Sequence, residues 1–299
     1  MNGMKDGATR EELIRKIVMP TVFDPAVMNR KYLDVHYGVL PEQRLDVYLP
    51  DEGDGPFPLL IYVHGGGWTM GSRRECALPC IIDAVKCGYA LISVDYRLAP
   101  DTLFPEFLFD VKTAVRWARA NAAQYGFDPD RFGIIGDSAG AHLSLMVGFT
   151  EGHPEYEGEA YGWSGESSRV QAVCDMYGPS MLDADTDELL RQSGVPPLFG
   201  PGEGPSMTAP FSRDANMLRL ISPIPYVHRE IPPVLIQHGA LDPIVPVQHS
   251  TELAEKIERV CGRGRVDLRI YPERTHSDGA FMTRENCAEA VEFFDRYLK

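Results

Sequence analysis

A serine with a glycine two residues before it and another two residues after it is a candidate catalytic residue in this chain. Residues 136–140 read Gly-Asp-Ser-Ala-Gly, after an apolar run at residues 132–136 and before an apolar run of helical character. A serine at a sharp turn from strand to helix needs small neighbours, because the backbone there is crowded and strained. This G-x-S-x-G pattern predicts that Ser138 is a nucleophile, activated by a base from elsewhere in the chain.

A histidine followed by three glycines ends a second apolar run, in the sequence His64-Gly65-Gly66-Gly67-Trp68. Glycines let a substrate approach the main chain closely and let amide N–H groups point into a cavity, as an oxyanion hole requires. We expect the donors to be the amides of Gly66 and Gly67, together with that of Ala139 after the serine. His64 is expected to be a structural hydrogen-bonding residue and not a base.

Four stretches together resemble the hormone-sensitive-lipase-like branch of the α/β-hydrolases, in particular bacterial carboxylesterases and acetyl-xylan or feruloyl esterases that carry HGGGW. They are HGGGW itself, VDYRLAP at residues 94–100, FDPDRFGIIGDSAG at residues 127–140 and HGALDPIVP from His238. The similarity extends from about residue 44 to the C-terminus. It implies an α/β-hydrolase fold, with a mostly parallel eight-stranded sheet, helices on both faces and a small cap or insert, and it implies ester chemistry.

The resemblance also implies an acid after the seventh strand and a histidine after the eighth, in the chain order Ser, Asp, His. In this sequence Asp242 follows the apolar run at residues 233–238, and His276 follows the run at residues 266–271. Both residues emerge at the sheet edge where Ser138 lies, and open α/β sheets bind their ligands at that edge. We expect His276 to take the proton of Ser138 and Asp242 to orient the imidazole.

Other acidic residues compete for the role of the triad acid. Asp175 lies in or just after the preceding strand, where some α/β-hydrolases place their acid, but its pattern fits a packing residue as well. Glu273 and Asp278 flank His276 too closely in sequence to orient it easily from the far side. Asp137 is expected to cap or neutralise the turn beside the serine.

Other histidines have weaker patterns than His276. His142 follows Ser138 by one helical turn, so we expect it to pack beneath the turn. The remaining histidines lack a partner pattern, and surface or core roles are expected for them. They are His36, His153, His228, His238 and His249.

Short apolar or β-branched runs alternate with segments of helical period along the chain. The first two runs have interleaved polar residues and predict edge antiparallel strands joined by a turn around Pro41, whereas those from Leu59 onward predict strands covered on both faces. Apolar stripes predict helices over residues 107–122, from Ser250 and from Arg284. The alternation predicts a mostly parallel sheet. The predicted strands are residues 32–37, 44–49, 59–64, 90–96, 132–136, 170–177, 233–238 and 266–271.

Two stretches interrupt this alternation. The N-terminal extension, residues 1–31, carries a candidate helix at residues 11–18, and residues 181–222 form an insert rich in Gly and Pro. A long interruption within a compact domain is usually a functional loop or lid. We expect a single α/β-hydrolase domain over residues 1–299, because the three triad residues must converge on one sheet edge, and we expect both stretches to form its cap.

Composition excludes several classes of protein. With 29 Lys+Arg against 43 Asp+Glu the formal net charge is −14, which opposes binding to nucleic acid. No apolar run reaches the ~20 residues of a membrane-spanning helix. Glu11, Glu12 and Arg15 interrupt the apolar core that a secretory signal needs, so a cytoplasmic location is expected. The six cysteines suit reduced thiols; Cys76 and Cys80 lack further ligands, and neither a metal nor another cofactor is expected.

These observations favour a serine carboxylesterase that acts on short acyl esters of small alcohols or carbohydrates through an acyl-enzyme. Trp68 and Tyr177 are candidate substrate contacts. An arylformamidase-like or peptidase-like amidohydrolase on the same triad is the alternative. A non-catalytic ligand receptor on this scaffold is disfavoured, because receptors of similar fold lose a triad residue. Relatives with this architecture are often dimers, which makes a homodimer a further expectation.

Overall fold

The computed structural model describes residues 22–75, 77–182 and 215–299 of the chain. Its centre is an eight-stranded sheet in the order β1-β2-β4-β3-β5-β6-β7-β8. The second strand is antiparallel to the first and to the fourth, and the other neighbouring pairs are parallel. The strands are β1 (Lys31–His36), β2 (Arg44–Tyr48), β3 (Phe57–Val63), β4 (Ala90–Val94), β5 (Phe127–Asp137), β6 (Ala172–Met176), β7 (Val234–Gly239) and β8 (Val266–Tyr271).

Helices cover both faces of the sheet. The α-helices are α1 (Leu78–Ile81), α2 (Glu106–Ala120), α3 (Ala122–Tyr125), α4 (Ala139–Phe149), α5 (Pro154–Glu157), α6 (Ala215–Ile221), α7 (Gln248–Cys261) and α8 (Arg284–Leu298). Apolar residues of α2, α4 and α7 form one core cluster with Leu59 and Ile61 of β3. Residues of α1 and α8 form a second cluster with Leu60 and Tyr62. Side chains alternate along a strand, so the continuous apolar run of β3 feeds both cores.

The predicted fold class is confirmed, and each predicted strand is present. Two strands differ from the prediction in their position in the sheet. The polar residues of β2 suggested an edge strand, yet β2 lies between β1 and β4. Its Asp46 is fully buried because two arginines neutralise it there. β8 was expected to be covered on both faces, but it forms the other edge of the sheet, and its Leu268 is 37% exposed.

The two stretches predicted to form a cap lie largely outside the described residues. Residues 1–21, which include the candidate helix at 11–18, and residues 183–214 belong to that part of the chain. Within the described end of the extension, Phe23 packs edge-to-face on Tyr48 with ring centroids 5.8 Å apart. At the end of the insert, α6 contributes Leu218 and Ile221 to the core beside α2 and α4. A cap stays a prediction.

A buried carboxylate ties the chain after the glycine loop to the sheet. Asp46 Oδ1 lies 3.1 Å from Nε of Arg73, and Asp46 Oδ2 lies 2.6 Å from Nε of Arg74. Arg73 also pairs with Asp34 and Asp95. Burial alone would raise the pKa of Asp46, but the hydrogen bonds and charges of the two arginines lower it overall. This network therefore anchors the segment that follows residues 64–68.

Replacement of Asp46 by alanine is expected to destabilise the fold by about 2 kcal/mol, because both arginines lose charge-assisted hydrogen bonds to a buried carboxylate. The loss is limited because Asp34 still pairs with both arginines. Lys86→Ala is the control, since Lys86 is 67% exposed in its ion pair with Asp83, and we expect a loss below about 1 kcal/mol. Urea unfolding at neutral pH measures both values. Equal losses in the two variants would contradict the role assigned to Asp46.

Candidate active site

The turn from β5 into α4 holds Ser138 in a conformation that few residues adopt. Its φ is 52° and its ψ is −116°, a region of backbone strain for any residue other than glycine. A Cβ atom on Gly136 would lie 2.4 Å from the carbonyl of Gly140, and one on Gly140 would lie 2.0 Å from the carbonyl oxygen of Val63. Both glycines of the motif are therefore required by close backbone contacts.

Three residues from distant parts of the chain form one hydrogen-bonded series at this turn. His276 Nε2 lies 2.9 Å from Ser138 Oγ, and His276 Nδ1 lies 2.7 Å from Asp242 Oδ2. His276 follows β8 and Asp242 follows β7, as the sequence predicted. The structure thus brings together the three residues predicted as a triad, in the geometry that a nucleophile, a base and an orienting acid require.

Four hydrogen bonds hold the Asp242 carboxylate. Oδ1 accepts from the amides of Ile244 and Val245, each at 2.8 Å. Oδ2 lies near His276 and also 3.2 Å from Nε2 of His238. Burial alone would raise the pKa of Asp242, but the charge of His276 and the hydrogen bonds from both histidines hold it well below its ordinary value. Asp242 is therefore ionised at neutral pH, although it is fully buried.

The glycine loop after β3 lies against the serine turn. Gly66 and Gly67 have φ values of 111° and 58°, which glycine adopts at little cost. The carbonyl of Gly66 accepts from the amides of Thr69 and Met70. Among the described residues, the amides of Gly66, Gly67 and Ala139 donate no hydrogen bond within the protein. Free amides beside Ser138 are what an oxyanion hole requires.

Asp137 clamps this loop to the turn. Its Oδ1 accepts from the hydroxyl of Tyr62 at 2.7 Å and from the amide of Gly65 at 3.1 Å. A Cβ on Gly65 would lie 2.4 Å from Asp137 Oδ2, so the carboxyl group fits only against a glycine. Burial raises the pKa of Asp137 to about 6, even though both hydrogen bonds oppose the rise. Asp137 therefore fixes the glycine loop to the serine turn, and no side-chain hydrogen bond caps the helix at Ser138.

Within the described part of the chain, the hydrogen bonds of the His276 ring go to Asp242 and Ser138 and not to the competing acids. Asp175 is buried in β6, where its Oδ1 accepts from the amide of Gly178 at 2.7 Å. Its Oδ2 has no hydrogen-bond partner among the described residues, and burial raises its pKa to about 7. Asp278 Oδ1 accepts from the amide of Ala280 and so caps a 3-10 turn. Glu273 is exposed.

His64 and His142 lie beside the site in roles that differ from that of a base. His64 is buried, stacks on Tyr96 with ring centroids 4.4 Å apart, and places Nδ1 2.7 Å from the carbonyl oxygen of Gly65. His142 Nε2 lies 2.6 Å from the carbonyl oxygen of Ile221, and burial lowers the pKa of His142 to about 4. The His64 ring therefore supports the glycine loop, and the His142 ring ties α4 to the end of α6.

The two candidate substrate contacts differ in their neighbours. Tyr177 packs edge-on against the ring of His276, with centroids 4.9 Å apart. Trp68 is only 3% exposed and packs edge-on against His142.

Sequence reasoning missed His238, which lies against Asp242. The signal available was its position four residues before Asp242.

We find no group of three or more His, Cys, Asp or Glu side chains that could hold a metal ion in the described ranges. Cys80 is buried, with Sγ 2.9 Å from the carbonyl oxygen of Thr283, and Cys76 lies outside the described residues. The helices in these ranges also include none that is long and apolar enough to cross a membrane.

Asp137→Asn removes a buried charge and keeps an acceptor oxygen for Tyr62 and Gly65. Because the pKa of Asp137 rises from 3.8 to about 6 on folding, wild-type stability is reduced as pH increases through this window, and the variant escapes that loss. Relative to wild type, we expect Asp137→Asn to gain about 3 kcal/mol between about pH 3 and about pH 7.

Urea unfolding at intervals of one pH unit measures this change. Replacement of the exposed Asp54 by asparagine is the control for the chemical change itself. A flat profile for Asp137→Asn would show that this carboxyl group is not titrated in the folded protein as described.

The chain has relatives in sequence and neighbours among solved structures. The chain is 35% identical over 264 residues to the esterase LipC of Mycobacterium tuberculosis, covering 85% of this chain and 63% of that protein. It is 27% identical to the isoprenylcysteine alpha-carbonyl methylesterase ICME of Arabidopsis thaliana, covering 81% and 55%. The chain therefore spans about three fifths of the length of these relatives.

Among solved structures, a truncated form of a carbohydrate esterase from gut microbiota superposes with a TM-score of 0.75 at 25% identity, over 92% of this chain and 99% of that one. The BD-FAE family model matches residues 45–257, a range that contains the glycine loop, Ser138 and Asp242. The family resemblance predicted from the sequence motifs is thereby confirmed. This chain belongs to the BD-FAE family of hormone-sensitive-lipase-like α/β-hydrolases.

Proposed function

We propose that this protein is a serine carboxylesterase that hydrolyses short acyl esters. The observation that carries the proposal is the hydrogen-bonded series from Asp242 through His276 to Ser138, with distances of 2.7 Å and 2.9 Å. The names of the relatives, which are esterases and a methylesterase, support an ester as the substrate. The amides of Gly66 and Gly67, which donate to no described residue, support an acyl-transfer mechanism.

In the acylation step, Ser138 Oγ attacks the carbonyl carbon of the ester while its proton passes to His276 Nε2. The carbonyl π electrons move to oxygen, and the resulting oxyanion accepts hydrogen bonds from the amides of Gly66, Gly67 and Ala139. When the tetrahedral intermediate collapses, the bond to the alkoxy oxygen breaks and the proton on His276 Nε2 passes to that oxygen. An alcohol leaves, and the acyl group stays on Ser138.

Water then takes the place of the alcohol. It gives a proton to His276 Nε2 as its oxygen attacks the acyl carbon, and the second tetrahedral intermediate releases the acid and returns the proton to Ser138 Oγ. Asp242 stays ionised throughout, because its four hydrogen-bond donors hold its pKa low. It orients the His276 ring and stabilises the imidazolium that forms in each step.

The substrate is proposed to carry a short acyl group, such as acetyl, on a small alcohol or a carbohydrate. The solved relative described as a carbohydrate esterase supports this class, and the net charge of −14 favours neutral esters over anionic ones. Residues 1–31 and 181–222 are proposed to wall the pocket as a cap on a single domain. Trp68 and Tyr177, which are both buried, are the proposed substrate contacts.

Activity toward p-nitrophenyl esters from acetate to decanoate tests the acyl preference. We expect kcat/KM to fall with chain length, because a pocket shaped for a short acyl group rejects additional methylenes through steric overlap. N-formylkynurenine, assayed in parallel, tests the amidohydrolase alternative. An optimum at decanoate would contradict the short-chain proposal, and faster turnover of the formamide would favour the alternative.

Replacement of the proposed triad residues tests the mechanism. Ser138→Ala is expected to lower kcat by at least about 10⁴-fold, and Asp242→Asn by about 10³- to 10⁴-fold because the His276 tautomer is no longer held. Asp175→Asn is the matched control, since Asp175 is an equally buried carboxyl group that hydrogen-bonds Gly178. Its kcat is expected to stay within about tenfold of wild type, the effect of one hydrogen bond.

The three variants are compared on the same ester, with thermal unfolding as a check on folding. Wild-type turnover in Ser138→Ala would refute the proposed nucleophile. A larger loss in Asp175→Asn than in Asp242→Asn would reassign the acid.

A further inference from the structure

A second histidine contacts the carboxylate that orients His276. His238 is the penultimate residue of β7, and its side chain is fully buried. Its Nε2 lies 3.2 Å from Asp242 Oδ2 and 2.9 Å from the carbonyl oxygen of Val245. Its Nδ1 lies 2.6 Å from Ser250 Oγ in α7. Both ring nitrogens are thus engaged, and the ring is held from two sides.

The neighbours of Nε2 determine its protonation. A carboxylate oxygen and a carbonyl oxygen only accept hydrogen bonds, so Nε2 of His238 carries a proton that it donates to them. Ser250 Oγ can accept from Nδ1 or donate to it, so this assignment holds for the neutral and the charged ring alike. Asp242 Oδ2 consequently receives one N–H from His238 and one from His276.

We propose that His238 is a positioning residue that holds Asp242 Oδ2 in place and limits its basicity, and so sets how strongly Asp242 stabilises the protonated His276 ring. The proposal rests on the triad mechanism proposed above. It differs from a packing role, because packing requires the volume of the ring and this role requires the Nε2–H donor.

The charged groups around His238 set the direction of the effect. Asp242 faces it from the loop after β7, and Asp175 faces it from β6. Burial alone would lower the pKa of His238, but its hydrogen bond with Asp242 and the charge of Asp242 raise it overall. Asp242 and Asp137 are two carboxyl groups on which the charge of His276 acts. Loss of the His238 donor leaves Asp242 more basic, which stabilises the His276 imidazolium more strongly.

His238→Leu removes the Nε2–H donor and puts an apolar side chain of similar size in its place. We expect kcat to fall about 10- to 100-fold through misplacement of the triad, with KM within about twofold of wild type. We also expect the acid limb of the kcat/KM profile to move to higher pH, because a carboxylate that has lost one donor stabilises a neighbouring imidazolium more strongly. His238→Gln restores a donor and is expected to recover most of kcat and the wild-type acid limb.

His249→Leu is the matched control, because it removes another buried histidine, whose Nδ1 accepts from the amides of Ser180 and Met181. It is expected to lower thermal stability and to leave the acid limb unchanged. Ser250→Ala, which frees the Nδ1 side of His238, is expected to lower kcat by about fivefold, the effect of one hydrogen bond.

Proton NMR tests the positioning role of His238 without an activity assay. The measured signal is that of the His276 Nδ1–H, which lies in the downfield region typical of imidazole–carboxylate hydrogen bonds. We expect it to shift in His238→Leu and to stay in place in His249→Leu. An inactive wild type would refute the proposed function, and this signal would still test His238. Wild-type kcat, acid limb and NMR signal in His238→Leu would overturn the inference, as would equal shifts in His249→Leu.

Discussion

The close packing of two backbone segments, the glycine loop after β3 and the serine turn after β5, constrains the rest of the site. Gly140 leaves no room for a Cβ beside the carbonyl oxygen of Val63, and Gly65 leaves none beside Asp137 Oδ2. β3 and β5 are paired in parallel, with Val63 opposite Gly136, so both segments leave the sheet at the same height. The amides of the loop and the hydroxyl of Ser138 are therefore placed side by side by the main chain.

Three buried carboxyl groups near this sheet edge show how one residue type takes different states. Burial raises the pKa of Asp137 to about 6 and that of Asp175 to about 7, whereas hydrogen bonds and charge hold that of Asp242 well below its ordinary value. The difference is in the donors, since Asp242 has two amides and two imidazoles around it. All three carboxyl groups are buried, so burial does not distinguish them. The number and charge of the hydrogen-bond donors keep Asp242 ionised, as an acid that pairs with His276 must be.

Where sequence reasoning differed from the structure, the missing information was the identity of the neighbours. The polar residues of β2 indicated an edge, but Asp46 is neutralised by arginines that follow the glycine loop. β8 was predicted to be covered on both faces together with the strands before it, but Asp267 and Arg269 alternate with its apolar residues, and it forms an edge at which Leu268 is partly exposed. His238 precedes Asp242 by four residues, but this spacing alone does not show that the two side chains meet. Their contact depends on the path of the loop between them.

The sequence by itself determined the strands, the helices and the serine turn, because these depend on apolar periodicity and on glycines within a few residues of one another. It also placed Asp242 and His276 after the correct strands, through motifs shared with a family. Only the tertiary structure decided which groups meet. His276 is 138 residues from Ser138 and 34 from Asp242, and their contact depends on strand order, on register and on loop paths, which local periodicity does not encode.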